Sequence, residues 1–160
     1  MRKKDLMSAM VMMEGSGKGE LVNALKETLG NAVVLYFSAH RAHWNVTGPD
    51  FSEYHGLFGE IYEDIYSSID PLAENIRKMR SFPPTLGEMI AVASISDDTK
   101  VTGARELASD LMMKNAGMVQ LLKDVFNVAN DSNEQGIANF IAERIDMHEK
   151  WDWQLRSSLG

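Results

Sequence analysis

From Tyr54 to Met79 the chain places an apolar side chain at every third or fourth position: Tyr54, Phe58, Ile61, Ile65, Ile69, Leu72, Ile76 and Met79. That spacing returns to one face of an α-helix on each turn, whereas a strand would alternate in twos. A stripe sustained for about seven turns predicts one long helix with one face to bury, and further helices must cover it. The same period recurs three times. Leu21, Leu25, Ala32, Leu35, Tyr36, Ala39 and Ala42 mark a helix over about 20–44. Leu107, Leu111, Met118, Leu122, Val125 and Val128 or Ala129 mark one over about 103–130. Ile137, Phe140, Ile141, Ile145, His148 and Trp151 or Leu155 mark the last, over about 133–159.

The connections order these helices. Asn45-Val46-Thr47-Gly48-Pro49 ends the first, and Asp50 or Ser52 caps the second, which should run to about Arg80 with a kink at Pro71. Residues 81–102, with Pro83-Pro84, are long enough to cross the end of a bundle and to hold a short helix at about 88–94. Two helical hairpins joined by one long crossover predict an all-α, ferritin-like four-helix bundle with a short extra helix in the crossover. Residues 1–19 are expected to be a flexible N-terminal tail jointed at Gly15-Ser16-Gly17-Lys18-Gly19, ahead of a single domain over 20–160. That joint is no phosphate loop, because Met12 and Gly19 stand where the motif needs Gly and Ser or Thr.

Composition narrows the chemistry. The 160 residues contain no cysteine, which excludes disulfides, thiol catalysis and thiolate-bound metals. Sixteen Lys and Arg against 23 Asp and Glu leave a net charge of −7, unfavourable for a surface built to hold nucleic acid. Arg2, Lys3 and Lys4 ahead of Leu6–Met13 imitate a secretory leader, but Asp5 interrupts the basic region and Glu14 follows where a small residue is needed. No apolar run approaches the ~20 residues that span a bilayer. A soluble cytoplasmic protein is expected.

Four residues carry the chemistry. His43 ends the first helix and His55 begins the second, so the short turn can bring them together. Asp70 and Glu74, at i and i+4, stack two carboxylates on one helical face. Imidazole with carboxylate suits iron, and less specifically zinc or manganese. His55 and Asp70 lie 15 residues apart on one helix, about 22 Å along its axis, too far to share an ion. Two such helices packed antiparallel across a two-fold axis would bring His55 of one chain to Asp70 and Glu74 of another, with Tyr62 and Tyr66 in the interface. His40 reads as an exposed neighbour of His43, His148 as structural, and Trp44 and Trp153 as core aromatics.

Local sequence adds a family. The run His43-Trp44-Asn45-Val46-Thr47-Gly48-Pro49-Asp50-Phe51, then His55, then Asp70-Pro71-Leu72-Ala73-Glu74-Asn75-Ile76-Arg77, closely resembles the Dps family, the miniferritins. Glu143-Arg144, His148-Glu149-Lys150 and Trp153-Gln154-Leu155-Arg156 are similar to that family's C-terminal pattern. The resemblance extends from about Glu20 to Arg156. It implies a subunit of a hollow dodecamer that oxidises Fe(II), with hydrogen peroxide or dioxygen, at centres across the two-fold interface and stores the ferric mineral inside. The implied metal ligands are His43 and His55 from one chain and Asp70 and Glu74 from its partner. Trp44 adjoins that centre in the family and is implied as an acceptor of oxidising equivalents.

Three positions depart from the pattern. The family usually carries Asp four residues after the second His, where this chain has Gly59. One firm metal position is therefore expected, with a second that is weak, completed by water, or absent. Glu60 and Glu63 are displaced around or along the helix from that point. Asn139 replaces an acidic residue near the pore that admits iron, although Glu134 remains, and Asn75 follows Glu74 where Arg is common. DNA compaction is the rival function, resting on Arg2, Lys3 and Lys4. A twelve-chain shell would carry a charge of about −84, which opposes it. A structural cage with weak or absent oxidation, through loss of the Gly59 ligand, is the third reading.

Overall fold

The computed structural model describes the backbone of residues 3–100 and 103–160. Helix α1 (Lys3–Asn45) turns back through residues 46–50 into α2 (Phe51–Lys78). The crossover contains α3 (Leu86–Val92), and α4 (Ala104–Asp131) and α5 (Gln135–Leu159) form the second hairpin. The described residues contain no strand, and the order is that of the ferritin-like bundle with its extra crossover helix. None of these helices is long and apolar enough to cross a membrane.

The apolar stripes meet in one core. Leu21, Leu25, Leu29, Ala32, Leu35 and Ala39 of α1 are fully buried, as are Phe58, Ile65 and Ile76 of α2, Leu122 and Ala129 of α4, and Ile141 and Leu155 of α5. Each buried Leu, Ile or Phe contributes about 1.5–3 kcal/mol by leaving water. Ile69 and Met79 lie at the margin of the core, half-buried.

Two boundaries differ from the sequence reading. Helix α1 runs unbroken through Gly15–Gly19, where a joint was expected, and begins at Lys3 rather than near Glu20. A glycine lowers helix stability by about 1 kcal/mol relative to alanine but does not oblige the chain to leave the helix. Ser132, at the end of α4, also donates a hydrogen bond to the Gly17 carbonyl at 3.3 Å. The crossover helix begins at Leu86, two residues early, because Thr85 and Glu88 form a capping box. Pro71 stays inside a continuous α2.

Two polar networks fasten the crossover and the second hairpin. The Asn31 side-chain oxygen accepts bonds from the Ser94 and Ile95 amides at 3.1 and 2.8 Å. Asp97 accepts from Ser38 at 2.7 Å, Arg41 at 2.8 and 3.0 Å and Lys114 at 3.1 Å, tying the crossover to α1 and α4. Deeper in the bundle, Arg144 grips Asp64 with two bonds of 2.9 and 2.8 Å, and Trp151 donates to the same carboxylate at 2.7 Å. His148 Nδ1 lies 2.7 Å from the Asn115 side-chain oxygen, and Nε2 lies 3.3 Å from Arg144. Since Arg144 can only donate, Nε2 accepts and Nδ1 carries the proton: this histidine is neutral.

That protonation state has a pH signature. Burial, and then Arg144 beside it, pushes His148 down to about 3. An unfolded histidine titrates near 6.5, so unfolding takes up a proton below that pH. Stability is complete above about pH 6.5 and falls by up to ~1.4 kcal/mol per unit as pH drops toward 3. Asp97 is held at about 2, its bonds to Arg41, Ser38 and Lys114 outweighing burial. Its contribution disappears only at lower pH, between about 4 and 2. Chemical denaturation at stepped pH is expected to show loss of stability beginning near pH 6 in the wild type and a flatter profile in His148→Gln. Parallel profiles would reject the assignment.

Candidate metal centre

The turn between α1 and α2 places His43 and His55 face to face, with ring centres 3.6 Å apart and planes 20° from parallel. Each ring bonds to the other residue's main chain. His43 Nδ1 lies 2.7 Å from the His55 carbonyl, and His55 Nδ1 lies 2.9 Å from the His43 carbonyl. A carbonyl can only accept, so both Nδ1 atoms carry the proton and, in the neutral rings, both Nε2 atoms keep a lone pair. Neither Nε2 has a hydrogen-bond partner among the described residues. This is the arrangement by which a protein orients an imidazole ligand and fixes its tautomer.

Gly59 explains how closely His43 approaches α2. A Cβ added at Gly59 would sit 3.3 Å from both Cε1 and Nδ1 of His43. An aspartate there would have to push the ring away by a few tenths of an ångström. Around the pair lies an aromatic shelf. Phe51 stacks on His55 with centres 4.8 Å apart, and Tyr62 meets His43 edge-on at 5.1 Å. His40 lies flat on Tyr62 at 3.9 Å and against Trp44 at 4.1 Å. Burial, and then His43 beside it, lowers the pKa of His40.

Asp70 and Glu74 stand further along the same helix, both exposed and without an ion pair or hydrogen bond among the described residues. His55, Gly59, Tyr62, Tyr66 and Asp70 follow at steps of four, three, four and four, so one face of α2 carries imidazole at one end and carboxylate at the other. Among the described residues no three His, Asp or Glu side chains of one chain converge to hold an ion. A cleft of about 780 Å³ opens elsewhere, beside Glu53, Glu60, Arg105 and Trp153, and contains none of the four residues.

The two histidines are thus brought together within the chain, and the two carboxylates are not brought to them. Trp44 and Trp153 are corrected: both are more than half exposed, and Trp151 is the buried tryptophan. His40 is not a free neighbour but half-buried between two rings. Sequence reasoning missed Asp64, Arg144 and Asn115. For Asn115 and Arg144 the signal was present, since both fall in phase with the apolar stripes of α4 and α5.

A ferritin-like domain model matches residues 22–160, and the chain belongs to that family. Within it, the chain is one of the Dps proteins. It is 32% identical over 136 residues to the DNA protection during starvation protein of Brevibacillus brevis, covering 84% of this chain and 91% of that one. A solved Dps structure from Bacillus brevis superposes with a TM-score of 0.86 at 31% identity, over 91% of this chain and 98% of that one. The Dps protein of Vibrio cholerae, described as a member of a superfamily of ferritin-like diiron-carboxylate proteins, gives 0.85 at 28% identity, over 91% and 92%.

Proposed function

We propose that this protein is an iron-storing ferroxidase whose centres form between two copies of the chain. His43 and His55 of one protomer would meet Asp70 and Glu74 of its partner, twice per two-fold dimer. The observation that carries this reading is the reciprocal lock of His43 and His55, which leaves both Nε2 lone pairs free for a ligand while, among the described residues, no three His, Asp or Glu side chains of one chain converge. Exposed apolar side chains favour a partner chain. Trp44 and Phe37 on α1, Tyr66 on α2, and Leu86, Ile90 and Val92 on α3 are all more than 40% exposed. Fe(II) is the substrate, hydrogen peroxide or dioxygen the oxidant, and the ferric product would collect inside a dodecameric shell. Carboxylates hold Fe(III) more firmly than neutral imidazole does, which favours the oxidation.

Gly59 shapes the stoichiometry. The His43 side keeps Asp70 and Glu74, while the His55 side keeps only a share of Glu74. Anaerobic Fe(II) titration is expected to give one tight ion per subunit, and two tight ions would refute this division. Native mass with peroxide-driven oxidation kinetics tests the whole reading. A twelve-subunit mass with rapid Fe(II) oxidation is expected, and a monomer without oxidation overturns it. Zinc and manganese are expected to occupy the same donors as substitutes.

A further inference from the structure

Resting on that reading, we infer that His40 is a third imidazole donor of the same centre, placed beside His43 to strengthen the position that Gly59 leaves as the main one. His40 precedes His43 by three residues on α1, so the two rings project from one face in successive turns. Their centres are 6.2 Å apart. An ion about 2.1 Å from each donor nitrogen holds two imidazole centres roughly 4.5–6.5 Å apart, depending on the angle at the metal. His40 is also fixed as a ligand would be. Its Nδ1 lies 3.0 Å from the Tyr36 hydroxyl, which can accept the ring proton and leave Nε2 with its lone pair. Tyr62 backs the ring in a parallel stack at 12°, and Trp44 lies against it at 38°.

The pattern across the three histidines is uniform. His40, His43 and His55 each bond to protein through Nδ1, and none has a hydrogen-bond partner at Nε2 among the described residues. Two imidazoles from one chain and two carboxylates from its partner would give the His43 position four protein donors, a set suited to a divalent first-row cation.

Cobalt(II), which does not turn over, is the probe. In His40→Ala, cobalt binding to the assembled protein is expected to weaken at least about tenfold, with the visible ligand-field band moving to lower energy as water replaces imidazole. Tyr36→Phe, which loses only the anchor, is expected to fall between wild type and His40→Ala. Equal affinity and an equal spectrum in wild type and His40→Ala would overturn the role of His40 and leave the centre standing. No tight cobalt in the wild type would overturn the centre and this ligand together. If His40→Ala fails to assemble, the wild type still decides. Zinc is expected to slow exchange of the imidazole C2 hydrogen at His40 as it does at His43, and protection of His43 alone rejects the inference.

Discussion

The Asp70→Ala protein is expected to lose peroxide-driven iron oxidation, its initial rate falling by at least about a hundredfold, while its native mass stays that of the wild type. Asp70 is exposed and makes no bond among the described residues, so its removal should leave the fold of a single protomer almost unchanged. In the proposed centre it supplies negative charge where Fe(III) forms. Loss of that charge raises the barrier and weakens Fe(II) binding together. Glu74→Ala should behave alike, and the double variant should be scarcely worse than either, since each change already removes the working unit. Unchanged oxidation in both single variants would sink the site assignment.

A second large effect lies away from the metal. Asp64→Ala is expected to destabilise the subunit by about 3–5 kcal/mol, the range for removing one partner of a buried ion pair. The change would strand the Arg144 guanidinium, only 7% exposed and already carrying an unpartnered Nε, and would orphan the indole N–H of Trp151. Replacing both partners together, as Asp64→Leu with Arg144→Met, should cost much less, because no charge is left buried. Denaturation midpoints of the three proteins check this. A loss below about 1 kcal/mol in Asp64→Ala would show that water or a shifted side chain satisfies Arg144.

The helices were legible because periodicity is local. The stripe at Phe58, Ile61, Ile65, Leu72 and Ile76 names its own buried face, and the structure buries all five. The pairing of His43 with His55 was legible because the turn between their helices is short. Less visible were contacts that depend on tertiary neighbours. Nothing local to Asp64 reveals that Arg144, 80 residues on, will grip it. The helical state of Gly15–Gly19 was misread for a related reason: propensity disfavours a helix there, and a contact from Ser132 lies far off in sequence. His40 looked unremarkable because its anchor, Tyr36, lies in the apolar stripe of α1, and its backing ring, Tyr62, comes from another helix.

The reciprocal bonds of His43 and His55 give those side chains a double duty. Each closes the α1–α2 hairpin through Nδ1, so hairpin and proposed metal position would share the same two rings. A substitution at either histidine disturbs architecture and chemistry at once, and its phenotype cannot be divided between them. The carboxylates carry no such burden and can be exchanged one at a time.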